Sequence, residues 1–364
     1  MWGDIAIAFL LAFITAFVIT PYTIRLAKKV GAIDIPEKRR INDIPIPRLG
    51  GLAVIAGFLV SSLYLVIAMT IENKIDLQGP YQYYFKLVGF LLGIVVLGIF
   101  CYIDDVKGLP AIVKLIGQII AACIVIAFGI RIEETNINFI DNILSSNEIF
   151  VYILTVGWIV GITNAINLID GLDGLSSGIT LISCLSLVII FSLNSSPMIA
   201  IVLTTALAGA IVGFLPYNFN PAKTFIGDVG AQFLGFSLAI ISILGVAKTY
   251  TAIVLVAPLI VLAIPICDTL FAIIRRVVKG KSIKAIFTPD TGHLHHKLMK
   301  QGFTQKQAVL LLYAISATLG MFAIILLDSG IWKAISFALM VGAICAIGYK
   351  DIMKEIKSKK IGGD

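Results

Sequence analysis

Eleven stretches of this chain are apolar almost throughout and long enough to cross a bilayer. A hydrocarbon core about 30 Å thick takes roughly 20 residues of α-helix. The stretches fall at about 3–20, 49–71, 85–103, 111–130, 148–167, 175–193, 198–215, 230–247, 252–274, 308–326 and 331–349. The first could pass for a signal peptide, but it lacks a basic start and a small-residue cleavage site, so it reads as a span. Soluble domains carry roughly 25% charged residues; here 13% are charged, 59% are hydrophobic and the mean hydropathy is +1.01. The expectation is therefore an all-α polytopic membrane protein of about eleven transmembrane helices. With 364 residues, such spans leave no room for a large soluble domain, so residues 1–364 read as one integral-membrane unit.

With that many spans, alternate loops lie on opposite faces. Loops 21–48, 104–110, 168–174, 216–229, 275–307 and the tail from 350, with their span edges, hold 23 of the 28 Lys and Arg. The other face keeps only Lys74, Lys86, Arg131, Lys248 and Lys333. The positive-inside rule makes the basic face cytoplasmic, with the amino terminus outside and the carboxyl terminus inside. The net charge of +7 then belongs to loops that set orientation and touch anionic lipid, and nucleic acid is not an expected partner. The five cysteines lie in or beside apolar segments without a C-x-x-C pair; they read as small buried residues.

The polar clusters all fall on that basic face. Asn164-Ala-Ile-Asn167-Leu-Ile-Asp170-Gly171-Leu-Asp173-Gly174 sits between two spans with no Lys or Arg of its own. Ionisable groups at a membrane boundary are expensive and usually functional, and a divalent cation is the first candidate to neutralise these. If helical, the three-residue spacings put Asn164, Asn167, Asp170 and Asp173 on one face; the glycines instead favour a turn. Asp104-Asp105 closes the third apolar stretch, and neighbouring carboxylates resist joint ionisation unless a cation lies nearby. That pair reads as a Mg²⁺ or base site, or else as a solvated helix stop. Lys114, a turn into the next stretch, suits a phosphate or simply snorkels.

Asn218 and Asp228 flank a Pro- and Gly-shaped loop, where a carboxylate could complete a magnesium shell. His293, His295 and His296 are the only histidines. Grouped in a basic loop, they suit an anionic diphosphate, with zinc as the alternative. Pro47-Arg48-Leu49-Gly50-Gly51 is rigid enough to place Arg48 at a defined site, although lipid contact would also explain its charge. Asp268, beside Pro265, is a further acid within an apolar stretch, structural or lining a lipid channel. No internal repeat of the transporter kind is visible. Cations for phosphates and acids for Mg²⁺ at one membrane surface point to phosphoryl transfer from a soluble donor to a lipid acceptor.

The ordered set Pro47-Arg48-Leu49-Gly50-Gly51, Asp104-Asp105-Val-Lys-Gly108, Asn164 to Gly174, Asn218 with Asp228-Val-Gly230, and His293-Leu-His295-His296-Lys-Leu resembles the polyprenyl-phosphate N-acetylhexosamine-1-phosphate transferases over nearly the whole chain. The histidine segment is similar to the branch that transfers N-acetylglucosamine 1-phosphate to undecaprenyl phosphate. One departure is Asn42, where the family often has histidine. The resemblance implies a helical bundle with a broken or bent ninth helix, for which Pro265 offers a local cause. It implies Mg²⁺, with Mn²⁺ as substitute, held by Asp228. Asp104, Asp105 and Asp173 would be the catalytic acids, Asp104 deprotonating or orienting the lipid phosphate. Arg48, Lys114, Asn167, Asp170, Asn218, His293, His295 and His296 would bind substrate, the histidines at the donor diphosphate.

The implied partners are UDP-N-acetylglucosamine and a membrane polyprenyl phosphate, with a homodimer as an open arrangement. The implied place is the plasma membrane with a cytoplasmic site, at the first membrane step of envelope polysaccharide or teichoic acid synthesis. UDP-MurNAc-pentapeptide or another UDP-HexNAc is the alternative donor. A non-catalytic permease for lipid-linked sugar is the more distant alternative.

Overall fold

The computed structural model describes residues 2–36, 44–72, 83–132, 141, 144, 147–246, 252–282, 285, 286, 290 and 292–342. Asn42 and the Lys38–Arg40 run, the tail from 350 and Cys345 lie outside the described residues. The chain is built of α1 (Trp2–Val30), α2 (Gly51–Ile71), α3 (Tyr83–Lys107), α4 (Ala111–Ala127), α5 (Glu148–Ile169), α6 (Leu175–Leu193), α7 (Met198–Asn218), α8 (Gly227–Val246), α9 (Ala252–Val261), α10 (Ala263–Gly280), α11 (Leu294–Lys300), α12 (Gln305–Ser329) and α13 (Ile331–Gly342). Among the described residues, eight helices are long and apolar enough to cross a membrane, and Ala111–Ala127 and Ile331–Gly342 are shorter apolar ones.

A helix lies at each of the eleven expected positions, with the ninth in two pieces. The break is at Leu262. Pro265 has no N–H to give to the Val261 carbonyl, whereas Ile266 N–H reaches Leu262 O at 3.1 Å, so the ladder restarts one turn on. Helix ends differ more from expectation. α1 runs through Pro21 to Val30, where a loop was expected from 21. α3 carries Asp104 and Asp105 in its last turn, buried, where a loop was expected from 104. It stops at Gly108, which takes φ +73 before Pro110 opens α4. A two-residue antiparallel ribbon, β1 (Ile33–Asp34) with β2 (Ile46–Pro47), is the one departure from an all-helical chain among the described residues.

α7 and α8 form the centre: most of their own side chains are buried, including Phe214, Phe233 and Phe236. α7 packs against α1, α2 and α6, and α8 against α3 and α5. Gly209 and Gly213 sit four apart on α7; a Cβ at either would overlap the carbonyl oxygen of Phe9 or Phe13. With no hydrophobic driving force between helices in hydrocarbon, this small-residue contact gains stability from close van der Waals packing. The outer helices expose rows of large apolar side chains, such as Leu10, Ile14 and Val18 on α1 and Leu92, Val95 and Ile99 on α3. Water would penalise such faces and hydrocarbon would not. Cys101 and Cys184 are buried as expected, whereas Cys123 and Cys267 are exposed on helix faces.

Candidate active site

The site begins where the Pro47–Gly51 segment lies along Phe225–Gly230. Phe225 N–H reaches Pro47 O at 2.8 Å, Gly50 N–H reaches Phe225 O at 3.0 Å, and Gly51 N–H reaches Ile226 O at 2.8 Å. Gly227 takes φ +70, and a Cβ there would overlap the Arg48 carbonyl oxygen. Only glycine meets both demands. This contact sets Arg48 beside the first turn of α8 and aims Asp228 between α3, α4 and α5.

Asp105 is fully enclosed and accepts the N–H groups of Asp228 and Val229, each at 3.0 Å. An anion at a helix amino terminus is stabilised by these free donors and by the helix dipole. Arg48 joins it at 3.0 Å and reaches on to Asp228 at 3.5 Å and Asp34 at 3.8 Å. Asp104 accepts from Lys114 Nζ at 2.7 Å and from Leu109 N–H at 2.6 Å. Lys114 also reaches Asp228 at 3.4 Å, and Asn167 Nδ2 donates to Asp228 Oδ1 at 2.6 Å. Asp228 is the node of the cluster. Its side chain keeps 15% exposure, against 4% for Asp104 and 0% for Asp105, so among these three it is the acid that opens outward.

It opens into a cavity of about 360 Å³ lined by Asp34, Arg48, Asn167, Asp170, Asp173, Asn218, Phe225, Asp228, His296 and Gln305, among others. That volume suits a small-molecule site. Asp170 and Asp173 line the same cavity as Asp228 and, among the described residues, are held by hydrogen bonds rather than by an ion pair. Asp170 accepts from Ser176 Oγ at 2.6 Å; burial nonetheless pushes its carboxyl up to about 7, against the lowering effect of that hydroxyl. Asp173 accepts from Asn220 Nδ2 at 2.9 Å and Ala222 N–H at 3.0 Å, and Gln305 shares Asn220 at 3.0 Å. Asn218, buried at the end of α7, accepts from Ser177 and donates to Thr224 O.

The histidines divide. His296 lines the cavity. His293 is buried and turns Nδ1 to Asp268 Oδ2 at 2.8 Å. His295 is buried behind Gly171, where a Cβ would meet its ring. Burial, with His296 and His293 alongside, pushes the His295 pKa down to about 3, so its ring is neutral at physiological pH.

Of the residues expected from sequence, the cavity wall takes Arg48, Asn167, Asp170, Asp173, Asn218, Asp228 and His296. Asp104, Asp105 and Lys114 stand directly behind Asp228, and His293 and His295 behind His296. Sequence reasoning missed Asp34, Asn220, Phe225 and Gln305. Asp34 and Gln305 carry no local signal, being single polar residues in the short strand β1 and in the first turn of α12. Asn220 and Phe225 lie inside the loop already singled out.

The family model described as glycosyl transferase family 4 matches residues 87–246. A probable undecaprenyl-phosphate N-acetylglucosaminyl 1-phosphate transferase of Bacillus subtilis (strain 168) is 39% identical over 335 residues, 91% of this chain and 87% of that protein. The chain belongs to glycosyl transferase family 4. Other relatives include the decaprenyl-phosphate N-acetylglucosaminephosphotransferase of Mycobacterium tuberculosis (strain ATCC 25618 / H37Rv), 33% identical over 83% of this chain and 77% of that protein. The undecaprenyl-phosphate alpha-N-acetylglucosaminyl 1-phosphate transferase of Escherichia coli (strain K12) is 29% identical over 81% and 76%. In this family 4 member the matched stretch holds the acids and carboxamides of the cavity from Asn167 to Asp228, while Asp34, Arg48, His296 and Gln305 close it from outside that stretch.

A cation could be held here in only one style. Among the described residues, no three of His, Cys, Asp and Glu converge as a ready metal cage. Mg²⁺ does not need one: it takes one or two carboxylates and fills its shell with water and phosphate oxygens. Asp228, open to the cavity and facing an acid-rich wall, has the donor chemistry for that style.

Proposed function

We propose that the protein transfers N-acetylglucosamine 1-phosphate from UDP-N-acetylglucosamine to a polyprenyl phosphate, with Mg²⁺ and release of UMP, at the cytoplasmic face of the plasma membrane. The observation that carries this reading is the cavity itself: Asp228, Arg48 and His296 meet facing carboxylates at the ends of lipid-compatible helices. A diphosphate donor from water and a phosphate headgroup from the bilayer can both reach such a place. The basic-loop asymmetry supports the cytoplasmic side.

In the reaction, an oxygen of the lipid phosphate forms a bond to the β-phosphorus of the nucleotide sugar. The bond from that phosphorus to the bridging oxygen breaks, and UMP leaves with that oxygen and its electron pair. Both reactants are anions, so positioning and charge stabilisation do most of the work. Arg48 offers a planar fork of donors to a phosphate, held by Asp105 behind it. Lys114 supplies positive charge beside Asp228. Asp104 and Asp105 act as positioning groups, since both are enclosed by their donors. Asp173 and Asn218 shape the wall that takes the nucleotide. Mg²⁺, held by Asp228, would screen the phosphate charges and withdraw electrons from the reacting phosphorus.

The test is UMP release by purified protein in detergent with UDP-N-acetylglucosamine and undecaprenyl phosphate. Release that needs both substrates and stops with EDTA is expected. Release with UDP-MurNAc-pentapeptide but not UDP-N-acetylglucosamine would reassign the donor. No release with any UDP-sugar would sink the reading.

A further inference from the structure

Asp268 takes no part in the cavity, yet it is an acid buried within the bundle, at 3% exposure. An unmatched carboxylate there would be costly, and such acids are retained for a reason. Both of its oxygens are matched, and both donors come from the start of α11. Oδ2 lies 2.8 Å from His293 Nδ1, and Oδ1 accepts the Leu294 N–H at 2.9 Å. A carboxylate only accepts, so the His293 proton sits on Nδ1.

α11 has seven residues, far below the length at which a helix holds itself together. Its place depends on anchors. Leu294, Leu298 and Met299 rest on a cluster that includes Ile169 and Leu172. That apolar contact fixes how close α11 lies but resists rotation and sliding weakly. Two directed bonds to one side chain of α10 fix both. His296 follows three residues after His293 and enters the cavity, while the His295 ring rests on Gly171.

From this geometry we infer that Asp268 is a positioning residue: it clamps the first turn of α11 so that His296 is presented to the phosphate-bearing donor. The inference rests on the reading of the cavity as a donor site. Asp268 itself touches no reacting atom; its effect passes through His296.

The experiment is a double-mutant cycle on the full-length protein, reading kcat and KM for UMP release and, separately, the Kd for UDP with Mg²⁺. Asp268→Ala and His296→Ala are each expected to weaken donor use by about 10–100-fold, the usual effect of losing a supporting partner. Together they should cost no more than the worse of the two, because both remove the same presented ring. Asp268→Asn keeps an acceptor for Leu294 N–H and should fall between wild type and Asp268→Ala. Cys267→Ser, the exposed neighbour on α10, should match wild type.

Losses that multiply in the double variant would overturn the inference, and so would wild-type behaviour of Asp268→Ala. If Asp268→Ala does not fold, Asp268→Asn combined with His296→Ala gives the same cycle. Should wild type bind UDP without releasing UMP, the transfer reading fails and the binding cycle still decides the role of Asp268. Failure of wild type to bind UDP would overturn both.

Discussion

Three helices each carry two polar residues one turn apart, and the two layers they form differ in kind. At the helix ends stand Lys114 on α4, Asn167 on α5 and Asp228 on α8, joined at 2.6–3.4 Å. One turn deeper stand Gln118, Asn164 and Gln232 on the same three helices, joined at 2.6–3.3 Å. The outer layer is charged and opens to the cavity through Asp228; the inner layer is neutral. A turn is about 5.4 Å, so the change from charge to carboxamide takes place over that distance. Charge is tolerable where Arg48, Lys114 and cavity water can match it, and its cost rises steeply with depth. The outer layer should therefore govern activity, and the inner one the fit of the three helices.

The sharpest break between the layers is Asp228→Ala. Loss of UMP release on the order of 10³-fold is expected, comparable to removing a principal charge-stabilising group. Its thermal stability in detergent should stay close to wild type, because Arg48 and Lys114 keep Asp105 and Asp104. Full activity would end the metal assignment. Asp105→Ala tests the support behind that layer. It strips Arg48 of its nearest partner and leaves the N–H groups of Asp228 and Val229 unbonded. Breaking such an enclosed pair costs about 3 kcal/mol or more, read as a lower unfolding midpoint in an SDS titration. An unchanged midpoint would mean that Asp105 does not hold α8.

Which parts of this were legible in the sequence follows from what each residue depends on. Long apolar runs set their own helices, so helix positions could be read directly. Helix ends depend on partners far along the chain. Asp104 and Asp105 were expected to open a loop, yet they continue α3 because Lys114, Leu109 N–H, Arg48 and the start of α8 satisfy them. The cavity was legible as a set of motifs, since Arg48, Asn167 and Asp228 arrive from separate loops and meet. The split between His296 in the cavity and His293 behind it was hidden, because it hangs on Asp268 across the fold. Gln118 and Gln232 could have been found: each follows a charged residue, Lys114 or Asp228, by four positions in an apolar helix, a spacing that puts both on one face.

Asp170 gives the comparison a pH axis. Burial raises its carboxyl from an ordinary 3.8 to about 7. Between those values the folded protein holds a proton that the unfolded chain has released. Its contribution is thus complete below 3.8 and is lost as pH rises to about 7. Melting of wild type in EDTA should show this loss across that window. Asp170→Asn, locked in the neutral form, should flatten it and exceed wild type in stability at pH 8. Parallel curves would show that Asp170 is ionised throughout.

The smallest effects belong to the inner layer, and they have an internal order. Gln118 is its hub: Oε1 accepts from Asn164 Nδ2, while Nε2 donates to Gln232 Oε1 at 2.9 Å and to Asn164 Oδ1 at 3.3 Å. Among the described residues, Gln232 Nε2 has no partner. Gln118→Leu leaves acceptors on two helices unmatched and should cost about 1–2 kcal/mol, near the upper end for side-chain bonds within bilayers. Gln232→Leu removes a group already half unmatched and leaves Gln118 bonded to Asn164, so it should cost less. Both should keep UMP release within a few-fold of wild type. A larger stability loss for Gln232→Leu would move the hub. A Gln118→Leu enzyme as crippled as Asp228→Ala would erase the division between the layers, because the carboxamides would then be holding Lys114, Asn167 and Asp228 in their working positions.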